Sequence, residues 1–466
     1  MPFQLEFLWT DLLIYLLLVS VMVFAFYTAR HEHLRVPWRQ VARRPMAMAS
    51  LAVLSVYVVV GLMDSVHYRP LLETQKQGAR VYSNEVLSLL DKVTTPLRTR
   101  LEKTYSAPFA VQAYTKETME YPDGRHAREY PRLVYGGAHL PDPGGRAADI
   151  VRRAAAATLT ALAMWLVLIA GFLWLWRERA ESWRQAARRL RRGDSQVPWR
   201  AIWLTAGMLI VLFTNAISLA QVYHILGTDQ VGQDVLYKSL KSIRTGLVIG
   251  TLTTLVMLPF AAVFGVMAGY FRGWVDDVIQ YTYTTLSSIP GVLLIAAAIL
   301  SLQVYVSNHP DSFHSATERA DIRLLSLCLI LGVTSWTSLC RLLRGETLKL
   351  REVDYIQAAR ALGSSHVAVM ARHVLPNVMH IILITVVLDF SGLVLAEAVL
   401  SYVGVGVDPT MDSWGNMINS ARLEMARAPI VWWSLAAAFV FMFGLVLSAN
   451  LFSDAVRDAF DPRLRK

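Results

Sequence analysis

Apolar residues gather along the chain into nine runs separated by polar stretches: Leu12 to Thr28, Ala47 to Met63, Ala154 to Trp174, Ile202 to Val222, Gly246 to Ala268, Val278 to Leu302, Leu324 to Leu342, Val378 to Leu400, and Val431 to Leu451. Runs of about 17 to 25 residues match the ~30 Å of hydrocarbon that a helix rising 1.5 Å per residue must cross. The pattern predicts an all-α, polytopic membrane helix bundle of about nine transmembrane helices. Between the second and third runs lies a long polar segment, Asp64 to Arg153. In it Val81, Val86, Leu89, Leu90, Val93, Leu97 and Leu101 recur at roughly helical spacing and predict one amphipathic helix. The stretch Tyr121 to Gly145, dense in Pro and Gly, predicts loop.

Composition agrees: 55% of the 466 residues are hydrophobic and 17% charged, with a mean hydropathy of +0.40. A water-soluble domain does not hide that much apolar surface, so a soluble enzyme is excluded. Cys328 and Cys340 share one run, about 18 Å apart on a continuous helix, too far for a disulfide. The net charge of +10 would suggest nucleic acid in a soluble protein, but its distribution reads as membrane topology. No Lys or Arg precedes the first run, whereas Arg30, Arg35, Arg39, Arg43 and Arg44 follow it. That polarity is wrong for a cleaved signal peptide and right for a helix with its amino end outside. Alternation then places Arg177 to Arg200, Arg341 to Asn377 and the tail Asp454 to Lys466 inside, and all three are basic. The N-terminus is expected outside and the C-terminus in the cytoplasm, with the lipid bilayer and no nucleic acid as partner. The organisation follows: two N-terminal spans in 1–63, an extracytoplasmic insert in 64–153, two further spans around a basic cytoplasmic loop in 154–223, and a core in 224–466 holding the loop 341–377.

The chain carries no G-x-x-x-x-G-K-[ST] phosphate loop, no H-E-x-x-H, no paired C-x-x-C and no G-x-S-x-G elbow. Catalytic, cofactor-binding and metal-ligating residues are therefore assigned to none, and His31-Glu32-His33, set among arginines at a membrane edge, reads as solvated. The loop 341–377 is more ordered in composition than a connector. From Glu352 to Leu362 the sequence is helix-forming, with Ile356, Ala359 and Leu362 on one side. Gly363 stops it, and a second helical stretch from Val367 to Val374 runs into Leu375-Pro376, where Pro376 is expected to break the helix at the membrane face. Ala358 and Ala359 keep one flank of this knob thin, so another protein's groove could close around it. Within the spans, Asp389 lies some 18 Å deep by helical rise. A carboxylate there must face protein or water. Glu397 lies nearer the outer interface, where snorkelling accounts for it. Gly227-Thr228-Asp229 and Gly404 to Trp414 predict turns.

The string Gln357 to Gly363, followed after nine residues by His373 to Pro376, resembles the "EAA" loop of ABC importer permeases, with Gln357 where that pattern prefers Glu. Further pieces are similar to the second permease of the dipeptide, oligopeptide and nickel importers: His224 to Val235, Ala268 to Asp277, Arg372 to Asn377, Leu400 to Met417, and Asp454 to Arg465. The resemblance covers roughly His224 to the end, with Trp38 to Met63 also similar to that branch's first span. The first helix and the insert from Asp64 to about Val222 depart from the branch's short form. The resemblance implies a type I permease core that pairs with a homologous second permease, two ATP-binding subunits and a periplasmic substrate-binding protein, in the bacterial inner membrane. It implies that Asp354, Tyr355, Gln357, Ala358, Ala359, Leu362, Gly363, Leu375 and Pro376 form the loop that couples to an ATPase. The partner subunits, not this chain, would use ATP and Mg. Asp389 and Glu397 are candidates for the translocation path. The function so implied is an ATP-driven importer permease, with peptide as the expected substrate. The alternative is a secondary transporter or channel driven by an ion gradient. It would place charged or Gly/Pro-broken positions in several spans, and here they are sparse. A membrane-embedded enzyme lacks any visible nucleophile, base or metal triad.

Overall fold

The computed structural model describes residues 3–71, 82–120, 126–176, 183–192, 196–309 and 315–460. Arg177 and Arg179 of the basic loop, Val81 and 121–125 of the insert, and 461–466 of the tail lie outside the described residues.

The chain opens with a short strand, β1 (Phe3–Glu6), followed by α1 (Trp9–Arg30), α2 (Glu32–Arg43) and α3 (Pro45–Asp64). In the insert come β2 (His67–Pro70), β3 (Leu87–Ser88), α4 (Leu89–Val93), α5 (Thr95–Thr99), β4 (Glu117–Glu120) and β5 (His126–Glu129). The remainder is helical: α6 (Arg146–Trp176), α7 (Trp183–Arg192), α8 (Trp199–Ala220), α9 (Val235–Phe271), α10 (Gly273–Ser288), α11 (Gly291–Asn308), α12 (Ala316–Ser335) and α13 (Thr337–Leu350). After these come α14 (Asp354–Ala361), α15 (His366–Val369), α16 (Leu375–Tyr402), α17 (Trp414–Glu424) and α18 (Trp433–Phe460). Among the described residues nine helices are long and apolar enough to cross a membrane, and the fold is all-α apart from two small sheets, β1-β2-β3 and β4-β5.

Three expectations need correction. The run Val278 to Leu302 is not one helix: α10 ends at Ser288 and α11 begins at Gly291. Pro290 forces Ile289 out of the helical region (φ −89°, ψ 130°) and so separates them. The amphipathic helix expected from Val81 to Leu101 is replaced by a strand and two five-residue helices. Ser88 starts α4 as a capping box with Asp91, and Pro96 restarts the chain as α5. Part of the expected loop 121–145 is strand, β5 pairing antiparallel with β4 in the register Glu117↔Glu129.

Two compact units emerge, each assembled from separate stretches of chain. The first holds 1–5, 38–245 and 412–452. In it α6 packs on α8, where the Trp165 indole N–H donates to the Trp203 carbonyl at 2.8 Å and Asn215 donates to Thr158 at 3.0 Å. Tyr57 of α3 donates to the Phe441 carbonyl of α18 at 2.9 Å.

The insert is fixed within this unit by two buried ionic clusters. Lys241 donates to Asp64 at 2.8 Å and to Asp91 at 3.2 Å, while Ser88 donates to Asp64 at 2.6 Å and Tyr237 to Asp91 at 2.7 Å. In the second cluster Glu102 accepts the backbone N–H groups of Val134, Tyr135 and Gly136 at 2.8 to 3.0 Å. His224 bonds Asp234 at 2.7 Å and faces Glu102 at 3.4 Å. Burial opposes both charges, but the imidazole's bond to Asp234 and the Glu102 carboxylate beside it hold it up to about 9. His224 and the three backbone donors bring Glu102 down to about 2 against that same burial. Backbone bonds from Glu102 N–H to the Gly232 carbonyl and from Thr228 N–H to the Ser106 carbonyl, both 3.0 Å, join the insert to the turn 227–234.

The second unit holds 6–37, 246–411 and 453–466. Here α1 attaches to α12 through its first turn, where Thr10 N–H and hydroxyl both donate to Asp321. A large core joins α9, α13, the loop and α16 through Met257, Tyr270, Leu339, Leu343, Ile356, Val369, Val374 and Val378. Close approach of α9 to α13 depends on two glycines one turn apart. A Cβ on Gly265 would lie 2.8 Å from the Cys340 carbonyl oxygen, and one on Gly269 would lie 2.7 Å from that of Arg344.

Candidate functional site

The loop 341–377 builds a knob on this core. α14 opens at Asp354, a carboxylate at the positive end of the helix, and carries Ile356, fully buried in the core beneath it. Ala359 packs partly buried beside it. Gly363 ends the helix in the left-handed region (φ +82°), which an L side chain adopts only at a cost. The turn it allows closes three backbone bonds: Leu362 N–H to Ala358 at 2.9 Å, Gly363 N–H to Arg360 at 3.0 Å, and Ser364 N–H to Ala359 at 3.1 Å. Ser365 then caps α15 by accepting from Ala368 N–H.

Leu362 does not share the side of α14 that Ile356 and Ala359 turn to the core. Leu362 is 86% exposed, as the helix has ended and the turn at Gly363 carries its side chain outward. Val367, 70% exposed, joins it, with Tyr355, Gln357 and Ala358 exposed on α14. Pro376 does not break the second helix either. Met370 to Val374 form a π-helical stretch, and the helix runs on from His366 to Tyr402. The wider π turn accommodates a residue that lacks an N–H and crowds the preceding turn. Leu375 packs half-buried against the core while Pro376 is exposed.

Several ties hold the knob in place. Arg344 of α13 makes a bidentate pair with Asp276 of α10 at 2.6 and 2.7 Å, and those bonds hold the Asp276 carboxyl below its usual range. Arg351 donates to the Tyr270 carbonyl at 2.8 Å, Tyr270 OH meets His366 Nδ1 at 3.0 Å, and Arg272 pairs with Glu352 at 2.8 Å. Asn377 donates to Tyr355 OH at 2.9 Å. Gln357 donates its side-chain amide to the Glu352 carbonyl at 3.1 Å, a bond that the Glu preferred at this position cannot make when ionised. The sequence placed Asp276 and Tyr270 in a matching motif without assigning them a role. Their partners are distant in the chain, and only the fold brings them beneath the knob.

The other two candidates lie apart from the knob on α16. Asp389 is half-buried, and among the described residues no hydrogen bond or ion pair reaches its carboxylate. Glu397 does not snorkel: it is 2% exposed and accepts the Ser401 hydroxyl, one turn on in the same helix, at 2.7 Å.

Residues 261–466 match the family model described as "Binding-protein-dependent transport system inner membrane component". The chain is 28% identical over 302 residues to the glutathione transport system permease protein GsiD of Pectobacterium atrosepticum, covering 58% of this chain and 93% of that protein. It is 32% identical over 242 residues to the oligopeptide transport system permease protein OppC of Mycobacterium tuberculosis, covering 52% and 77% respectively. It is 26% identical over 297 residues to the dipeptide transport system permease protein DppC of Alkalihalophilus pseudofirmus, covering 61% and 90%.

Proposed function

Because the chain belongs to the permease subunits of the peptide family of ABC importers, we propose that its knob, Asp354 to Gly363 with Leu375-Pro376, is the coupling element that docks in a cleft of a partner ATPase. The protein is a multi-pass inner membrane transport subunit, and an ion-driven carrier or channel is not favoured. Peptides are the substrate class, a reading supported by relatives named for oligopeptide, dipeptide and glutathione transport. A homologous second permease, two ATP-binding subunits that use ATP and Mg, and a periplasmic substrate-binding protein complete the assembly. The basic loops set the knob and the C-terminus in the cytoplasm and the N-terminus in the periplasm.

One observation carries the coupling assignment: an apolar tip, Leu362 and Val367, stands exposed on a base whose Ile356 is fully buried. A rigid base with an unpartnered apolar tip transmits a push from a soluble partner to α13 and α16, tilting packed helices between two arrangements close in energy. Asp389, which no partner reaches among the described residues, belongs to the translocation path, where water or substrate would satisfy it. Leu362→Asp tests the knob: the chain inserts at its normal level, but ATP-driven uptake and co-purification of the ATPase fall at least tenfold. Retention of both would remove the assignment.

A further inference from the structure

Outside the region shared with the family model, α7 carries a pattern that topology alone does not require. Arg184, Arg188 and Arg191 recur at one-turn spacing and are all exposed. No acidic residue falls within α7, and among the described residues no carboxylate pairs with these three. Trp183 and Leu190, seven residues apart, share an adjacent face. Arg189 instead stacks its guanidinium over the Trp176 ring at 5.0 Å, tying α7 to the end of α6.

The place where α7 sits is marked independently. At this end of α6 and α8, Phe172 meets Trp176, Trp199 and Trp203 at 5.5, 4.7 and 5.3 Å, and Trp174 and Trp183 are 59% and 45% exposed. A group of tryptophans at the ends of two spans marks the headgroup level of a bilayer. A short helix at that level, with an arginine row beside an apolar face, has the build of an interfacial helix. On α2, Arg35, Arg39 and Arg43 repeat the one-turn spacing, all exposed, with Trp38 among them.

We propose that the arginine row of α7 is a binding surface for the phosphate headgroups of anionic phospholipids. Arginine forks match phosphate oxygens in pairs, the row has no internal counter-charge, and the tryptophans set it at headgroup depth. Net-negative lipid is therefore the occupant, held at the edge of the two spans that the chain adds to the family core.

The test uses the full chain purified in mild detergent, with phosphatidylglycerol and phosphatidylcholine as the two probes. Native mass spectrometry counts lipids retained, and thermal unfolding reads the shift each lipid produces. The wild type retains phosphatidylglycerol in preference to phosphatidylcholine and is stabilised by it alone. Each Arg→Gln change at 184, 188 and 191 lowers that preference about fivefold, and R184K/R188K/R191K, which keeps the charge but loses the forks, retains only part of it. A reporter fused after α8 verifies that each variant inserts in the native orientation, since the remaining arginines of the segment still bias it. Equal retention of the two lipids by the wild type, or an undiminished preference in R184Q/R188Q/R191Q, would overturn the proposal. So would loss of a co-purifying protein subunit from that triple variant with its lipid preference intact, which would make the row a protein-docking face.

Discussion

Replacing Gly363 with Val isolates what the turn at the end of α14 contributes. A Cβ built there meets nothing within 4 Å, so the substitution creates no clash and its whole cost is in the backbone. Holding a β-branched residue at φ +82° costs about 1 to 2 kcal/mol. If the turn opens instead, it forfeits the three bonds that close it, each worth about 1 kcal/mol net in an exposed position. That strain is smaller than the ~3 kcal/mol that opening would forfeit, so it lowers the ratio of closed to open turn roughly tenfold, since 1.4 kcal/mol corresponds to a decade. The buried base at Ile356 is untouched, so insertion and global stability change little. Peptide uptake, normalised to the amount of chain in the membrane, should fall in the order Gly, Asn, Ala, Val, because Asn tolerates the left-handed region and there is room for its side chain. Wild-type uptake by Gly363→Val would refute the reasoning. An Asn variant as defective as Val would also refute it, since absence of bulk and not backbone handedness would then be what matters.

Asp276→Asn breaks the bidentate pair with Arg344 and should destabilise the purified protein by about 2 to 3 kcal/mol, read as a lowered unfolding temperature; an unchanged midpoint would show that the pair contributes nothing. The His224 pKa, raised from 6.5 to about 9, gives stability that is fully present below pH 6.5 and lost as pH rises through 9, about 3 kcal/mol in all. Thermal unfolding from pH 6 to 9.5 should show that decline, and His224→Gln should flatten it; a parallel decline in the variant would assign it elsewhere. Glu102, lowered from 4.5 to about 2, acts at the other end: its contribution holds above pH 4.5 and fades as pH falls toward 2. Asp389→Asn should leave the amount of chain in the membrane unchanged while altering uptake, and uptake identical to wild type would take Asp389 out of the path.

Much of this was legible along the chain because a span is a local signal. The apolar runs located the spanning helices, although α6, α9 and α18 extend past their runs by two to three turns at one end, and Gly363 announced the end of α14 through a property of its own backbone. Breaks inside apolar runs were harder to see. Pro290 separates α10 from α11, yet Pro259 lies inside α9 and Pro376 inside a helix that continues through a π turn. Whether a proline ends a helix depends on what its neighbours can satisfy. In the insert, apolar spacing suggested one helix, but Ser88 and Pro96 divided it, and the residues that fix the segment lie far away: Lys241 is 177 residues from Asp64. Long-range pairing of this kind leaves no periodicity. For Glu397 depth suggested an interfacial side chain, whereas the residue is buried and accepts the hydroxyl of Ser401 one turn on in the same helix.

The central claim is that the knob hands work from a separate ATPase to the membrane helices, and its most direct test is a site-specific crosslink. With Leu362→Cys carried by the assembled importer in proteoliposomes, a short bifunctional reagent should join this chain to an ATP-binding subunit, with a yield that changes between nucleotide-free and ATP-bound states. Crosslinks that never reach that subunit, alongside intact ATP-driven peptide uptake, would contradict the account.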